Sequence, residues 1–283
     1  MPTALAPGKL NLYLEVVGRR PDGYHELRTL FQTVRWGDDV TVERTAARGV
    51  ACRTVGADVP DDERNLAVRA ASRWLEASGA GGGVAIRLDK RVPVGGGLGG
   101  GSSDAATVLR LLDEGAGPAG LGPDRLHALA RGLGADVPFL LEGGTATATG
   151  VGDRLERRRS GPPVRVVLVL PPFGTETARV YARVAERLRK APAGGLERAV
   201  DALVSGVPAA IRDAHHNDLA EAALRAYPEL LRFTAEVERA LGRPPAMTGS
   251  GSTLFDVPDP GEEADVLARL AALPGRREVV VTG

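Results

Sequence analysis

The amino-acid sequence predicts an α+β fold. Strand-like and helix-like segments alternate through both halves of the 283-residue chain, which is typical of folds in which helices pack on sheets. With 43% hydrophobic residues, a chain of this length can bury one large core or two ordinary ones. The Pro/Gly-rich segment Ser160-Gly-Pro-Pro163 predicts a boundary between a domain at residues 1–160 and a second domain at residues 161–283.

The composition argues against nucleic acids and membranes as the main binding partners. Basic and acidic residues both number 36, so the sequence lacks the basic excess of proteins that bind nucleic acids or anionic membranes. The longest apolar run, Val164–Leu170, is too short to span a membrane, and the N-terminus does not resemble a signal peptide. A single cysteine, Cys52, fits a reducing compartment. These observations favour a cytoplasmic protein that acts on a small molecule. Our expectation for its assembly is a monomer or weak homodimer.

The first predicted strand lies near the start of the chain. Apolar and polar residues alternate from Lys9 to residue 16, with three leucines on one face. A period of two places Lys9, Asn11 and Tyr13 together on the other face. That polar face either contacts a substrate or faces solvent at a sheet edge, and the segment alone favours neither interpretation.

A turn, two strands and a helix are predicted next. Arg20-Pro-Asp-Gly23 indicates a turn before a strand over residues 24–36, and Gly37 separates this strand from another over residues 39–44. Tyr24 and His25 stand at the exit of the turn, where side chains can reach a ligand, although a single histidine in a turn is more often only a surface residue. Periodicity predicts a helix over residues 64–75, in which Asn65 acts as a cap.

A glycine-rich stretch is the most informative part of the sequence. It follows a predicted strand over residues 84–88 and leads directly into a predicted helix that begins near Ser102. The first turn of a helix exposes N–H groups and partial positive charge, and the missing Cβ atoms let an anion approach the backbone. We therefore predict a phosphate-binding loop. Its residues are Pro93, Val94, Gly95, Gly96, Gly97, Leu98, Gly99, Gly100, Gly101, Ser102 and Ser103.

Other glycine motifs fit this loop less well. The P-loop is excluded because Gly101 is followed by two serines and not by Lys-Ser/Thr. The dinucleotide pattern GxGxxG is met by Gly95, Gly97 and Gly100, but the strand and acidic residue that should follow it are missing. The protein-kinase pattern lacks its later segments. A flexible linker is disfavoured because apolar segments flank the loop on both sides.

Asp136 is the next candidate functional residue. It follows a predicted helix over residues 123–133 and lies in a tight loop bounded by Gly134 and Pro138. In that position it either caps the next turn or orients an attacking hydroxyl, as an aspartate of a phosphoryl transferase does.

The remaining segments continue the mixed pattern. A hairpin is predicted over residues 143–158, and a second loop of small residues, Thr248-Gly-Ser-Gly-Ser-Thr253, precedes a strand near the end. His127, His215 and His216 lack carboxylate or cysteine partners at ligand spacing, so we predict no metal site in the protein itself. The other predicted elements are strands over residues 164–170, 253–257 and 278–282 and helices over residues 177–189, 196–205, 217–225, 228–241 and 262–273.

Three segments in this order resemble the GHMP family of small-molecule kinases. They are Ala6-Pro-Gly-Lys-Leu-Asn-Leu12, the glycine-rich stretch, and Met247-Thr-Gly-Ser-Gly-Ser-Thr253. The resemblance implies a two-domain fold, with an N-terminal domain like domain 2 of ribosomal protein S5 and a C-terminal ferredoxin-like α/β sandwich. It also implies ATP as the phosphoryl donor, with Mg²⁺ arriving on the nucleotide.

Further segments are similar to one branch of that family. Asp22-Gly-Tyr-His25, Asp89-Lys-Arg-Val-Pro93 and Leu133-Gly-Ala-Asp-Val-Pro138 resemble members that phosphorylate the 2-hydroxyl of a cytidine-diphosphate-linked methylerythritol, in the non-mevalonate route to isoprenoids.

The resemblance also implies a role for each matching residue. Asp136 corresponds to the catalytic base, and Lys9 to the lysine that steadies it and the developing charge. The glycine-rich loop corresponds to the ATP phosphate site. The nucleotide side is completed by Asn65 and Lys90, and the substrate side comprises Asn11, Tyr24, His25, Thr177 and Tyr181.

Two other classes of function remain as alternatives at this point. A dinucleotide-dependent oxidoreductase would bind NAD(P)H and not ATP. A non-catalytic nucleotide-binding module would not need a hydroxyl-activating pair such as Lys9 and Asp136. Within the same family, a kinase for homoserine or mevalonate is the near alternative, against which the Tyr24-His25 pair argues.

Overall fold

The computed structural model describes residues 1–184 and 191–283. The chain forms two compact units, the first made of residues 1–8, 36–94 and 99–143 and the second of residues 9–35, 95–98 and 144–283. Both units combine strands and helices, so the predicted α+β class is confirmed. These units are discontinuous in sequence, and the domain boundary at residues 160/161 stays a prediction.

Two long strands contribute residues to both units. They are β1 (Thr3–Arg19) and β2 (His25–Thr45). The prediction that Gly37 separates two strands is wrong, because β2 runs through this position without a break. A Cβ atom at Gly37 would lie 1.9 Å from the carbonyl oxygen of Ala6. The glycine therefore serves a close approach of two backbones and not a turn.

The first unit packs helices against a small sheet. Its strands β3 (Gly49–Val55) and β4 (Gly83–Asp89) pair in parallel, and β4 pairs antiparallel with residues 39–45 of β2. Helix contacts run from α1 to α2 and α3, and from α2 and α3 to α4. The helices are α1 (Leu66–Ser78), α2 (Gly100–Ala116), α3 (Pro123–Leu133) and α4 (Val137–Glu142).

One strand and one α-helix of this unit were not predicted from the sequence. Every second residue of β3 is exposed. The exposed positions include the apolar residues Ala51 and Val55, so apolar and polar residues do not alternate along this strand in the sequence. Helix α4 has a proline in its first turn, where the missing N–H costs nothing, and the sequence analysis interpreted that proline as part of a loop.

The second unit contains the helices and strands that follow residue 143. The hairpin predicted over residues 143–158 is confirmed, and its first strand pairs antiparallel with residues 29–32 of β2. The elements are β5 (Thr145–Thr149), β6 (Arg154–Arg157), β7 (Arg165–Leu170), α5 (Thr177–Tyr181), α6 (Gly195–Ser205), α7 (Pro208–Ala214), β8 (His216–Asn217), α8 (Leu219–Ala226), α9 (Pro228–Leu241), β9 (Ala246–Met247), β10 (Leu254–Asp256), α10 (Glu263–Leu270) and β11 (Arg276–Val281).

A four-stranded antiparallel sheet, in the order β11-β7-β10-β9, organises this unit. Helices α8, α9 and α10 contribute to an apolar core with it, in which Val167, Leu230 and Leu254 are almost completely buried. The helix predicted over residues 177–189 begins at Thr177 as expected, and α5 ends at Tyr181. Residues 185–190 of that prediction lie outside the described residues. Within the described ranges, no helix is both long and apolar enough to cross a membrane.

Candidate active site

The polar face of β1 is buried. Lys9 and Asn11 are only 4% and 2% exposed, so the interpretation of this face as a solvent-facing edge is wrong. The ammonium of Lys9 donates to Asn11 Oδ1 over 2.6 Å, and Asn11 Nδ2 donates to Thr29 Oγ1 over 2.8 Å. The Lys9 ammonium also lies 5.6 Å from the ring centroid of Phe31. A buried ammonium is costly unless its surroundings hold it, which makes this a candidate functional group.

The second loop of small residues packs onto this pair. Asn11 N–H donates to Thr248 Oγ1 over 3.0 Å. A Cβ atom on Gly249 would lie 3.2 Å from Lys9 Nζ. Asn217 holds the loop from the other side, because its amide donates to the carbonyls of Met247 and Gly249 over 2.8 and 2.9 Å. Sequence analysis had placed Asn217 only at the start of a helix, and no local signal marked this role.

The carbonyl groups of the glycine-rich loop are held by hydrogen bonds. Because a trans peptide is planar, the N–H of each such peptide points away from its carbonyl's partner. The amides of residues 96–99 therefore point to the opposite side of the loop. The bonds run from Thr175 N and Ser252 N to Gly95 O (2.9 and 3.1 Å), from Thr253 N to Gly96 O (3.2 Å), from Thr248 Oγ1 to Gly97 O (3.4 Å) and from Lys9 N to Leu98 O (2.9 Å).

The backbone angles of the loop arrange these amides as an anion nest. Gly95, Gly97 and Gly99 have φ of +68°, +74° and +73°, while across residues 1–184 and 191–283 no residue other than glycine has positive φ. Alternation between left-handed and ordinary conformations turns successive N–H groups toward one concave side. Such a row of amide donors fits the oxygens of a phosphate chain.

Helix α2 begins directly after this loop. Gly99 occupies its N-cap position, where no side chain caps the helix, so the N–H groups of the first turn remain available to an anion. A Cβ atom on Gly101 would meet no atom within 4 Å. Ser103 is fully buried, and its hydroxyl donates to Pro7 O over 2.7 Å. The structure therefore gives Ser103 an anchoring contact within the protein.

Replacing Gly97 with Ala is expected to weaken ATP binding about tenfold or more, since positive φ alone costs about 1–2 kcal/mol with a Cβ. The added atom would also lie 2.3 Å from Thr248 O. Titration of ATP by calorimetry measures the change. The matched control is Gly115→Ala, which lies inside α2 with nothing within 4 Å and should bind ATP normally. Equal affinity in both variants would contradict the loop assignment.

Asn65 caps helix α1. Its Oδ1 accepts from Ala67 N over 3.0 Å, and its Nδ2 donates to Pro60 O over 2.8 Å. The capping interpretation is thus confirmed. A contact between Asn65 and a nucleotide stays a prediction, for which the side chain retains one amide hydrogen and one lone pair of Oδ1.

Lys90 lies among carboxylates. Its ammonium is 2.5 Å from Asp38 Oδ2 and 2.6 Å from Asp104 Oδ2, and all three side chains are at most 5% exposed. Burial disfavours its charge, yet Asp104 and Asp38 outweigh this and raise the pKa of Lys90. Two of its three N–H donors are therefore used inside the protein. Nothing in the sequence singled out Asp38 or joined it to Asp104.

Asp136 occupies the N-cap position of α4, but its side chain forms no capping hydrogen bond. The interpretation of this residue as a helix cap is therefore wrong. Its carbonyl oxygen accepts from Leu140 N over 3.0 Å, so only the backbone of Asp136 starts the helix. Asp136 is half-buried, and its catalytic role stays a prediction.

All the residues predicted for the substrate side lie in the second unit. Asn11 pairs with Lys9, and the others lie around the start of β2 and on α5. The rings of His25 and Tyr181 meet with centroids 5.0 Å apart and planes inclined by 30°. Burial, and then Arg19, lowers the pKa of His25, which favours the neutral imidazole. Tyr24 is 66% exposed at the preceding turn, and Thr177 Oγ1 shares a 3.0 Å hydrogen bond with Ser250 Oγ.

The histidines differ from the expectation. His127 Nε2 is 2.5 Å from Glu142 Oε1, and His216 Nε2 is 2.8 Å from Asp218 Oδ1, so two of them do have carboxylate partners. Over residues 1–184 and 191–283, no group of three histidine, cysteine or carboxylate side chains is arranged to hold a metal ion.

Comparison with known proteins defines the family. Residues 65–144 match the model of the GHMP kinases N terminal domain. A solved homoserine kinase from Cytophaga hutchinsonii, 18% identical, shares the fold with a TM-score of 0.72 over 99% of this chain and 94% of that one. A relative from Pelotomaculum thermopropionicum is 43% identical over 255 residues, or 89% of this chain and 88% of the relative. The chain therefore belongs to the GHMP kinase family.

These comparisons also agree on one member of the family. The Pelotomaculum thermopropionicum relative is named 4-diphosphocytidyl-2-C-methyl-D-erythritol kinase. So is a relative from Shouchella clausii, which is 38% identical over 89% of this chain and 84% of its own length. A crystal structure of 4-(cytidine 5'-diphospho)-2C-methyl-D-erythritol kinase is 41% identical, with a TM-score of 0.81 over 100% of this chain and 99% of that chain.

Proposed function

We propose that the protein transfers the γ-phosphoryl group of ATP to the 2-hydroxyl of 4-diphosphocytidyl-2-C-methyl-D-erythritol, in the methylerythritol phosphate route to isoprenoids. The observation that carries the proposal is the geometry of the glycine-rich loop. Its carbonyl groups are held by hydrogen bonds and its φ angles alternate in sign, which turns a row of amide N–H groups to one side, where an anion can bind. Identity near 40% to kinases named for this substrate supports the choice of acceptor.

The loop and the start of α2 hold the triphosphate in this proposal. Amide donors stabilise phosphate oxygens without adding a side-chain charge, and the helix dipole adds to the attraction. Mg²⁺ arrives with ATP and neutralises phosphate charge when it is bound.

Asp136 and Lys9 have the chemical roles. The acceptor oxygen attacks the γ-phosphorus, the bond from that phosphorus to the bridging oxygen of ADP breaks, and the hydroxyl proton passes to the Asp136 carboxylate. The Lys9 ammonium, which donates to a neutral amide at Asn11, lowers the energy of the negative charge that develops.

The cytidine end is assigned to the aromatic residues of the second unit. Stacking on a ring provides affinity for a base, and a polar ring edge provides selectivity. The neutral imidazole of His25 has one donor and one acceptor for that purpose. Its contact with Tyr181 supports a shared aromatic surface, on which exposed Tyr24 is the third ring in our proposal.

The deciding experiment measures ATP consumption with Mg²⁺ across four acceptors: cytidine-diphosphate methylerythritol, mevalonate, homoserine and galactose. Turnover of the first alone, with phosphate on its 2-hydroxyl, is the expected result. Turnover of another acceptor would keep the kinase fold and overturn the substrate assignment. No turnover with any of the four, together with tight NAD(P)H binding and no ATP binding, would instead favour the oxidoreductase.

We further propose that the enzyme acts in the cytoplasm as a monomer or weak homodimer. Its ATP requirement and the balanced charge of the chain support this setting. Sedimentation velocity across a range of protein concentrations tests the oligomeric part, and a stable higher oligomer would contradict it.

A further inference from the structure

Both stems of the glycine-rich loop end in one buried charge cluster. The stem before the loop contains Lys90, and the stem after it is α2, which contains Asp104. Their side chains meet, because Lys90 Nζ lies 2.6 Å from Asp104 Oδ2. Asp38 of β2 lies 2.5 Å from the same nitrogen. A single ammonium therefore links the two ends of the loop to one strand of the sheet.

Asp38 also binds the backbone of the first stem. Its Oδ1 accepts from the amides of Arg91 and Val92 over 2.5 and 2.8 Å, while its Oδ2 contacts Lys90. The stems are in close contact here, since a Cβ atom on Gly100 would lie 2.9 Å from Val92 Cγ1. The cluster thus fixes main chain as well as side chains.

We propose that Asp38, Lys90 and Asp104 form a clamp that fixes both stems of the glycine-rich loop, and that Asp38 and Asp104 are positioning residues for the phosphate chain of ATP. The proposal rests on the proposed function, because it takes the loop as the ATP site. Glycine-rich backbone has a large conformational entropy to lose when it orders around a ligand. Fixing its two ends in advance reduces this loss and so raises affinity.

The chemistry of the cluster fits positioning better than stabilisation. Buried ion pairs contribute little net stability, since the desolvation of the charges offsets their attraction. Asp104 Oδ1 is buried without a hydrogen-bond partner among the described residues, which a cluster selected for stability would avoid. Lys90 is one of only three lysines in the sequence. Its compact ammonium fits between two carboxylates, where the planar fork of arginine does not.

The clamp predicts a KM effect that a direct contact of Lys90 with the nucleotide does not. Asp104→Ala removes the tie to α2, so the Kd and KM for ATP should rise about tenfold, while kcat at saturating ATP stays within about threefold. Asp104→Asn keeps an oxygen acceptor for Lys90 and should restore most of the affinity. If Lys90 instead binds the nucleotide directly, Asp104→Ala releases its ammonium and ATP binding becomes tighter.

Matched controls come from a second buried carboxylate. Asp256 is 3% exposed and pairs with Arg243 in the second unit. Asp256→Ala and Asp256→Asn should lower the melting temperature with ATP affinity unchanged. Isothermal titration of each variant with ATP, without acceptor, gives the comparison. If Asp104→Ala binds ATP with the same Kd as Asp256→Ala and the wild type, the clamp proposal is overturned. Wild-type protein that binds ATP but fails to phosphorylate the proposed acceptor would overturn the proposed function alone.

The cluster also predicts a pH dependence. Burial, opposed by Lys90 and reinforced by Asp38, raises the pKa of Asp104 to about 7. The thiol of Cys52 in β3 also interacts electrostatically with Asp104, and burial raises the pKa of this thiol, so it stays neutral. A folded-state pKa above the unfolded value means that the native protein holds more protons between about pH 4 and pH 7. Stability should therefore fall as pH rises through this window.

Urea unfolding from pH 5 to pH 8 tests this dependence in wild type and Asp104→Asn. The wild-type midpoint should decrease toward pH 7 more steeply than the midpoint of the variant, which carries no titrating group at this position. The affinity of the wild type for ATP should also decrease from pH 5 to pH 8 more steeply than that of Asp104→Asn. The reason is that an ionised Asp104 gives the cluster one net negative charge close to the start of α2. Identical pH slopes in the two proteins would overturn the titration of Asp104 within the clamp.

Discussion

Asp136→Asn is expected to lower turnover by about 10²–10⁴-fold while ATP binds almost as before. The amide keeps the shape of the side chain but cannot accept the proton of the acceptor hydroxyl. Because Asp136 makes no capping hydrogen bond to α4, the substitution removes no helix cap. The loss should therefore appear in kcat and in kcat/KM alike, as expected for an interaction made only in the transition state.

Steady-state kinetics and an ATP titration on the same preparations measure both parts of this prediction. The control is Asp124→Asn, which replaces an exposed aspartate in the first turn of α3 and should leave turnover unchanged. An Asp136→Asn protein that loses ATP affinity in proportion to turnover would show that the residue is structural.

Lys9→Arg is expected to reduce turnover by orders of magnitude although it preserves the charge. The ammonium of Lys9 is buried, donates to Asn11 over 2.6 Å, and lies 3.2 Å from where a Cβ on Gly249 would stand. A guanidinium is larger and planar, so it cannot occupy a site built for a point charge. Lys9→Met, which retains an unbranched side chain of nearly the same length without the charge, should be impaired at least as strongly.

Comparison with a surface arginine on a neighbouring strand separates a local effect from a general loss of charge. Arg28 forms an exposed ion pair with Glu15, and Arg28→Met should retain wild-type turnover, since such pairs contribute little. Thermal melting shows whether each protein is folded. A folded Lys9→Arg enzyme with near-normal kcat would remove the role of Lys9 in charge stabilisation.

Local sequence signals predicted the helices well where proline and glycine mark their ends. Helices α3 and α9 have the predicted bounds, Pro123–Leu133 and Pro228–Leu241. Each begins with a proline, whose missing N–H is not needed in the first turn, and is followed by a glycine. Short strands such as β8 and β9 have two residues each. They are defined only by the strands they pair with, so no periodicity can reveal them.

The burial of the polar face of β1 shows what side-chain periodicity cannot predict. Alternation placed Lys9 and Asn11 on one face, but a period of two cannot say whether that face meets water or protein. The answer came from the loop at Thr248 and Gly249, which is more than 200 residues away in sequence and packs on that face. In the same way, Asn217 acquired its role only through contacts with that loop.

The sequence by itself predicted the α+β class, which the structure confirms, and a phosphate loop, because side-chain period and glycine content are local properties. The candidate pair Lys9 and Asp136 came from the family resemblance, and both the loop and the pair stay predictions. Only the tertiary structure decided which groups surround them. Asp38, Lys90 and Asp104 are separated by up to 66 residues, from 38 to 104, and meet because β2, the end of β4 and α2 fold together. The strength and pKa of a buried charge depend on the groups packed around it, and those groups are defined only when distant segments come into contact.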